Sequence, residues 1–396
     1  MYGYERETTP NLERVAAEGV RFELAYAPSS TTAPSHATFF TSLHPITHRV
    51  TRNGRVLLPA HQTLAERLRE RGWTTAGFVS TYVLNGRFGF GQGFEVWDDE
   101  FDPATVAQGR RGDANTRRVL DWLERGRDDQ RPFFLFVHYF DPHWPYAPPP
   151  EFAGRFPLAP GPGAELRAQV ARYDAEIAFT DQQIGELLAG LDRLGLANAT
   201  VVAITADHGE GLMQHGLLGH GVQIYEEQVR VPLLLRWPGH LPAGRVVEGA
   251  VSLIDLAPTL LELAGVAPSG EAMQGRSLVP VLLGSERVDP TRAIFLYRRE
   301  YEPGREEGLT VAGEKFGVRL GDFKLVLGPE EGTRELFDLQ HDPQEREELT
   351  AAEPVRAAEL EKRIADWLAE NRRDVTAPDP TSHEDLERLR ALGYVK

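Results

Sequence analysis

Thr200-Val201-Val202-Ala203-Ile204-Thr205-Ala206-Asp207-His208-Gly209-Glu210-Gly211 decides how this chain is read. A β-branched apolar run of strand length breaks off into a carboxylate, an imidazole and two glycines, the pattern of a buried strand that delivers polar side chains at its carboxyl end. Three other runs share the texture: Thr74 to Ser80, Phe133 to Tyr139 and Val231 to Arg236. The second of these also stops in polar residues, Asp141-Pro142-His143-Trp144, and is followed by a proline-rich loop reaching Pro150. Amphipathic segments alternate with the strands: Asn11 to Glu18, Thr63 to Glu70 with Gly72 behind it, Glu165 to Leu194 as one long or two broken helices, and Ile254 to Leu263 before Gly265. The alternation predicts an α/β fold, a doubly wound, mostly parallel sheet flanked by helices. Such sheets take their ligands outside the carboxyl ends of the strands, so the polar clusters mark the expected site.

From about Asp289 the texture changes. Phe316–Leu320 and Phe323–Leu327 flank Gly321-Asp322, a hairpin signal, and Ala351 to Asn371 carries an apolar helical stripe. His383 to Tyr394 reads as a short charged helix or tail, and Ala147 to Gly163 as a surface excursion. The expected division is a catalytic domain over 1–288 and a smaller C-terminal α+β subdomain over 289–396.

The chain has 396 residues, 41% of them hydrophobic and 26% charged, which is ordinary for a globular enzyme. Lys and Arg number 43 against 59 Asp and Glu, a formal net charge of -16, so a nucleic-acid or anionic-membrane partner is not expected. An anionic substrate needs a local source of positive potential. With no cysteine, disulfides, thiolate zinc sites and thiol nucleophiles are all excluded. No run of 18 apolar residues and no signal-peptide pattern at MYGYERETTP is found, and the compartment stays open.

Two constellations carry chemistry. In Ser29-Ser30-Thr31-Thr32-Ala33-Pro34-Ser35-His36, Pro34 suits the first turn of a helix and Thr32 sits just ahead of it. Free helix amides there would face an oxyanion, and the hydroxyl can attack once its proton is removed; an N-cap with a serine-threonine turn is the plainer reading. In Asp207-His208 a carboxylate and an imidazole stand side by side, a pair that hard divalent cations accept. A satisfied pair capping the next helix is the structural alternative. His215 and His220 follow in a glycine-rich loop, and His138 and His143 close the other strand.

These residues together resemble the sulfatase family of the alkaline phosphatase superfamily, over nearly the whole chain. Thr32-Ala33-Pro34-Ser35-His36 is similar to the nucleophile motif, and Thr205-Ala206-Asp207-His208-Gly209-Glu210 to the distal metal-ligand motif. Tyr225-Glu226-Glu227 through Pro232 is similar to the segment that follows, and Gly321-Asp322-Phe323-Lys324-Leu325 to the C-terminal subdomain. The resemblance implies an alkaline phosphatase-like fold, a divalent cation (Ca, Mn, Mg or Zn), a covalent intermediate on the nucleophile and hydrolysis of a small anionic sulfate or phosphate ester.

The sequence departs from the family in three places. Usual sulfatases carry Cys or Ser where Thr32 stands and convert it to formylglycine; a secondary alcohol does not mature to that aldehyde, which tilts the expectation toward phosphoester chemistry. The motif's Arg is His36, so a permanent charge becomes a titratable one. The first strand with its paired Asp ligands precedes a Tyr-Gly segment in the family; here Tyr2-Gly3-Tyr4 matches that segment, so those carboxylates are expected upstream of Met1 or else missing.

On this resemblance Asp207 and His208 hold the cation and Thr32 attacks, with the helix amides after it stabilising charge. His220 or His143 protonates the leaving oxygen, His220 or His138 assists the second step, and His36 contacts Thr32 or the transferred group. Two rival readings are a catalytically impaired, anion-binding member of the fold and a two-metal phosphotransferase or phosphodiesterase. The oligomeric state is open.

Overall fold

The computed structural model describes residues 1–101, 109–158, 163–267, 270, 272–306, 308–373, 387 and 389. In chain order come α1 (Pro10–Glu18), β1 (Val20–Tyr26), α2 (Thr32–Thr41), α3 (Pro45–His48), α4 (Leu64–Arg69), β2 (Thr74–Phe78) and β3 (Val96–Asp98). Next are α5 (Gly112–Asp121), β4 (Phe133–Val137), α6 (Ala164–Arg193), β5 (Val202–Thr205), β6 (Gly211–Leu212), β7 (Leu218–Gly219) and α7 (Glu226–Val229). The rest are β8 (Arg230–Arg236), β9 (Arg245–Ser252), α8 (Leu256–Leu263), α9 (Val279–Leu283), β10 (Ile294–Glu306), β11 (Leu309–Leu320), β12 (Phe323–Gly328), β13 (Thr333–Asp338) and α10 (Pro354–Asn371).

All four strands expected from the apolar runs form, each within a residue or two at its start, and the helical segment 165–194 is a single helix of 30 residues, α6. The segment 254–263 begins as a short 3-10 turn over Leu253–Asp255 before α8, because Ser252 accepts from the Ile254 amide and Asp255 reaches back to the Ser252 amide. Residues 383–394 lie outside the described residues apart from Glu387 and Leu389.

Two compact units make up the chain. The first comprises Met1–Arg21, Ala65–Ala203 and Leu234–Arg245. Here β2 lies between β3 and β4, parallel to both, with Ala76 opposite Val96 and Leu135. The Asp181 carboxylate on α6 accepts from the Asn11 and Leu12 amides at 3.0 and 2.9 Å, satisfying first-turn donors of α1 that the helix itself leaves unpaired. Phe152, Ala175, Ala178 and Phe179 form a small core between α6 and the loop before it.

The second unit comprises Phe22–Leu64, Ile204–Leu233 and Val246–Lys396. The strands that lead into Thr32 and into Asp207, β1 and β5, belong to a sheet of order β5-β8-β1-β9, whose neighbours are non-consecutive and so require crossovers, whereas β4 with its own polar cluster lies in the sheet β3-β2-β4. The C-terminal sheet is instead antiparallel in sequence order, β10-β11-β12-β13. The expected hairpin is there: Leu320 pairs with Phe323 across Gly321-Asp322, and Gly321 takes the positive φ (59°) that the turn needs. α10 covers this sheet through Leu360, Ile364 and Trp367, which pack on Phe316, Val318 and Leu325. Tyr297 on β10 donates its amide to the Pro28 carbonyl at 2.8 Å and so ties the loop before α2 to the same sheet.

Two histidines near α2 are held neutral, His48 buried and His44 half-buried. Burial, with the Arg292 charge adding to it, lowers His44 to about 3, and burial pushes His48 well down as well. The folded state therefore declines protons that the unfolded chain takes below about pH 6.5. Stability should fall as pH drops below 6.5, for His44 down to about 3, with a slope approaching about 1.4 kcal/mol per pH unit for a histidine kept neutral in this way. His44→Gln should shallow the slope of unfolding free energy against pH by one proton; an unchanged slope contradicts the assignment.

Candidate active site

The loop after β1 turns into α2 with Thr31 as the N-cap, in extended conformation, and Thr32 as the first helical residue. The sequence placed Thr32 one position earlier, ahead of the helix. Thr32 is 4% exposed, and its Oγ1 stands 3.3 Å from His208 Nε2. The other His208 nitrogen, Nδ1, lies 2.9 Å from the Gly209 carbonyl oxygen. A carbonyl only accepts, so the Nδ1 hydrogen is committed there and Nε2 presents its lone pair to the hydroxyl. Burial lowers the His208 pKa, against the neighbouring Asp207 charge, which raises it.

Asp207 stands between two imidazoles, with Oδ2 3.5 Å from His208 Nε2 and 3.6 Å from His36 Nδ1. His36, 2% exposed, donates from Nδ1 to the Thr32 carbonyl at 2.8 Å, one helical turn back. Its pKa is also lowered by burial, with Asp207 opposing. The contact of His36 is thus with the Thr32 backbone and the carboxylate.

His220 lies with its ring centroid 4.0 Å from that of His208, and its Nδ1 is 3.3 Å from Glu210 Oε2. Burial alone would lower its pKa; the Glu210 charge and hydrogen bond reverse the sign and hold it raised. Adjacent imidazoles are therefore pushed in opposite directions, the arrangement in which one serves as base and the other as acid. The local backbone makes this possible at Gly209, where a Cβ would run into the Glu227 carbonyl oxygen and where the amide donates to the Gln228 carbonyl at 2.8 Å.

Thr32, His36, Asp207, His208 and His220 are thus brought together within the second unit. His138 and His143 belong to the first. The His138 amide donates to the Phe78 carbonyl at 2.9 Å and its Nδ1 accepts from the Ser80 amide at 3.4 Å. His143 donates from Nδ1 to the Trp144 carbonyl at 2.6 Å and stacks on Phe140 at 4.2 Å.

The helix amides after Thr32 are not free, contrary to the sequence expectation. The Ala33 amide donates to Asn53 Oδ1 at 2.9 Å, Pro34 has none, and the Ser35 amide donates to the Thr31 carbonyl at 3.2 Å. Asn53 is buried and closes the helix end from a loop 20 residues on. Sequence reasoning also passed over Glu210 as a partner, although it sits within the quoted motif.

The donor chemistry at Asp207 and His208 suits a divalent cation, but the number of donors falls short: among the described residues no group of three or more His, Asp or Glu side chains is placed to hold one. His208 Nε2 is moreover turned to Thr32 and Asp207.

The chain as a whole is similar to hydrolases of ester bonds with an alkaline phosphatase-like fold. The family model described as Sulfatase matches residues 1–266, and that described as N-sulphoglucosamine sulphohydrolase, C-terminal, matches 214–374. The chain belongs to the sulfatase family. It is 24% identical to an N-acetylglucosamine-6-O-sulfatase of Bacteroides thetaiotaomicron, over 97% of this chain and 85% of that protein. It is 30% identical to human arylsulfatase A, over 82% of this chain and 70% of the relative. The crystal structure of a phosphonate monoester hydrolase of Agrobacterium radiobacter superimposes with a TM-score of 0.79 at 23% identity, over 93% of this chain and 92% of that one. Members of the family typically use a divalent cation.

Proposed function

We propose that this chain hydrolyses an anionic ester by attack of Thr32 Oγ1, with His208 as general base and His220 as general acid. The observation that carries the reading is the 3.3 Å approach of Thr32 Oγ1 to a His208 Nε2 whose tautomer is set by the Gly209 carbonyl. The Thr32 proton passes to His208 Nε2 as the oxygen bonds to phosphorus or sulfur, and Asp207 stabilises the imidazolium that forms. The bond to the leaving alcohol breaks, and His220, held by Glu210, supplies its proton. Water then attacks the adduct, giving its proton to the now neutral His220, and the Thr32 oxygen leaves with the proton stored on His208. His36 is a positioning residue in this scheme, since it fixes the Thr32 carbonyl and Asp207 from within the helix.

A divalent ion would meet Asp207 and His208 from this chain. Among the described residues no third donor is placed to complete such a site.

Thr32 favours phosphate or phosphonate esters over sulfate esters. A simple alkyl adduct on phosphorus is opened by water from the opposite side, whereas the hydrated aldehyde of usual sulfatases has a second hydroxyl to expel the sulfate. The test is a set of 4-nitrophenyl esters of sulfate, phosphate and phenylphosphonate with the purified chain. Turnover is expected with the phosphorus esters at a higher kcat/KM than with the sulfate; a sulfate preference contradicts the substrate reading, and no turnover of any of them favours an anion-binding role.

A further inference from the structure

The C-terminal sheet sends a group of cations toward the loop that carries His220, and most of them are already paired. Arg298, fully buried, is 2.6 Å from Glu331, and Lys315 is 2.8 Å from the same carboxylate. Lys324 bridges Glu226 and Glu345, and Arg319 reaches the Tyr26 hydroxyl and Glu226. Arg299, the next residue along β10, is the exception. It is partly exposed, forms no ion pair with a described residue, and lies with its guanidinium carbon 4.0 Å above the ring of Tyr301. Tyr301 in turn donates its hydroxyl to the carbonyl of Gly221, the residue after His220, at 3.1 Å.

A permanent cation stacked on an aromatic ring is held in place without being neutralised. In a protein of net charge -16, with Asp207 and Glu210 lining the site, an unpaired guanidinium has no structural charge to balance. Thr32 meets His208 and His208 meets His220, while a Cβ on Gly221, the next residue, would touch both the Thr31 hydroxyl and the Tyr301 hydroxyl beneath Arg299. Arg299 is thereby held beside the loop that carries His220, the group assigned to protonate the departing alcohol.

We propose that Arg299 recognises a second anionic group on the alcohol portion of the substrate, so that the preferred substrates are esters of alcohols bearing a carboxylate or a further sulfate or phosphate. This assignment rests on the proposed function for the side on which the alcohol sits. The Arg299 charge also bears directly on His220, consistent with their closeness.

Calorimetric binding of two product-like phenols to the full chain tests it without turnover: 3-hydroxybenzoate, which carries the anion, and phenol, which does not. The wild-type protein should bind 3-hydroxybenzoate more tightly than phenol. Arg299→Gln should weaken 3-hydroxybenzoate binding about 10-fold or more while leaving phenol binding unchanged, and Arg299→Lys should restore part of the loss. No preference in the wild type, or equal binding by Arg299→Gln, overturns the proposal. Turnover of the 4-nitrophenyl esters measured in parallel reports on the Thr32 reading alone, so its failure is distinguishable from a failure here.

Discussion

Replacing Thr32 by Ala should lower kcat on any ester the chain turns over by about four orders of magnitude or more, the scale seen when a hydroxyl nucleophile is removed from a unit that acts in concert. The effect on folding should be far smaller. The side chain makes one long hydrogen bond, 3.3 Å to His208, and Ala keeps Cβ while losing the hydroxyl and the buried Cγ2 methyl. A stability loss of about 1–2 kcal/mol is therefore expected, measured by urea denaturation. An activity loss that tracked unfolding would mean that Thr32 is only a structural residue, as its place in the first turn of α2 would by itself suggest.

The second large effect is on folding. Lys324 is fully buried, with its Nζ 3.1 Å from Glu226 and 2.9 Å from Glu345. Burial alone would lower its pKa, and the two carboxylates more than reverse this, so the ammonium stays charged. Lys324→Met fills much of the same volume but strands two buried carboxylates, which typically costs about 3–5 kcal/mol. Glu226 also receives the Tyr26 hydroxyl, and its amide donates to Glu345, so the loss spreads to the segment that leads from His220 into β8. The urea midpoint should fall accordingly with an unchanged m-value. A loss under about 1 kcal/mol would show that the carboxylates find other partners or take up protons.

The parts of the fold that were legible in the sequence are those with a local signature. Thr200 to Thr205 and Phe133 to Tyr139 announce buried strands because their apolar runs end in breakers, and Gly321-Asp322 announces a hairpin because a turn of two residues demands a positive φ. β10 was not legible in the same way. Tyr297-Arg298-Arg299-Glu300-Tyr301 sets three charged residues between two tyrosines, Arg298 and Tyr301 are buried, and the register shifts between Arg298 and Tyr301 break the period of two. A bulge of that kind leaves no trace in composition.

The site divides along the same line. Thr32, Asp207, His208 and His220 could be named because the chemistry is carried by short motifs at strand and helix ends. What those residues touch depends on contacts between distant segments: Asn53 closing the Ala33 amide, Glu210 turning the pKa of His220 upward, and Arg299 left unpaired among buried pairs. The amide expectation failed for this reason, since the helix end is open in sequence and closed in space.

The measurement that bears most directly on the account is the mass of the protein during turnover. Rapid acid quench of the wild-type chain with bis(4-nitrophenyl) phosphate, followed by intact-mass analysis and peptide mapping, should show a 4-nitrophenylphosphoryl adduct on the peptide containing Thr32 and none in Thr32→Ala. Turnover accompanied by an adduct on another residue, or undiminished turnover by Thr32→Ala, would contradict it.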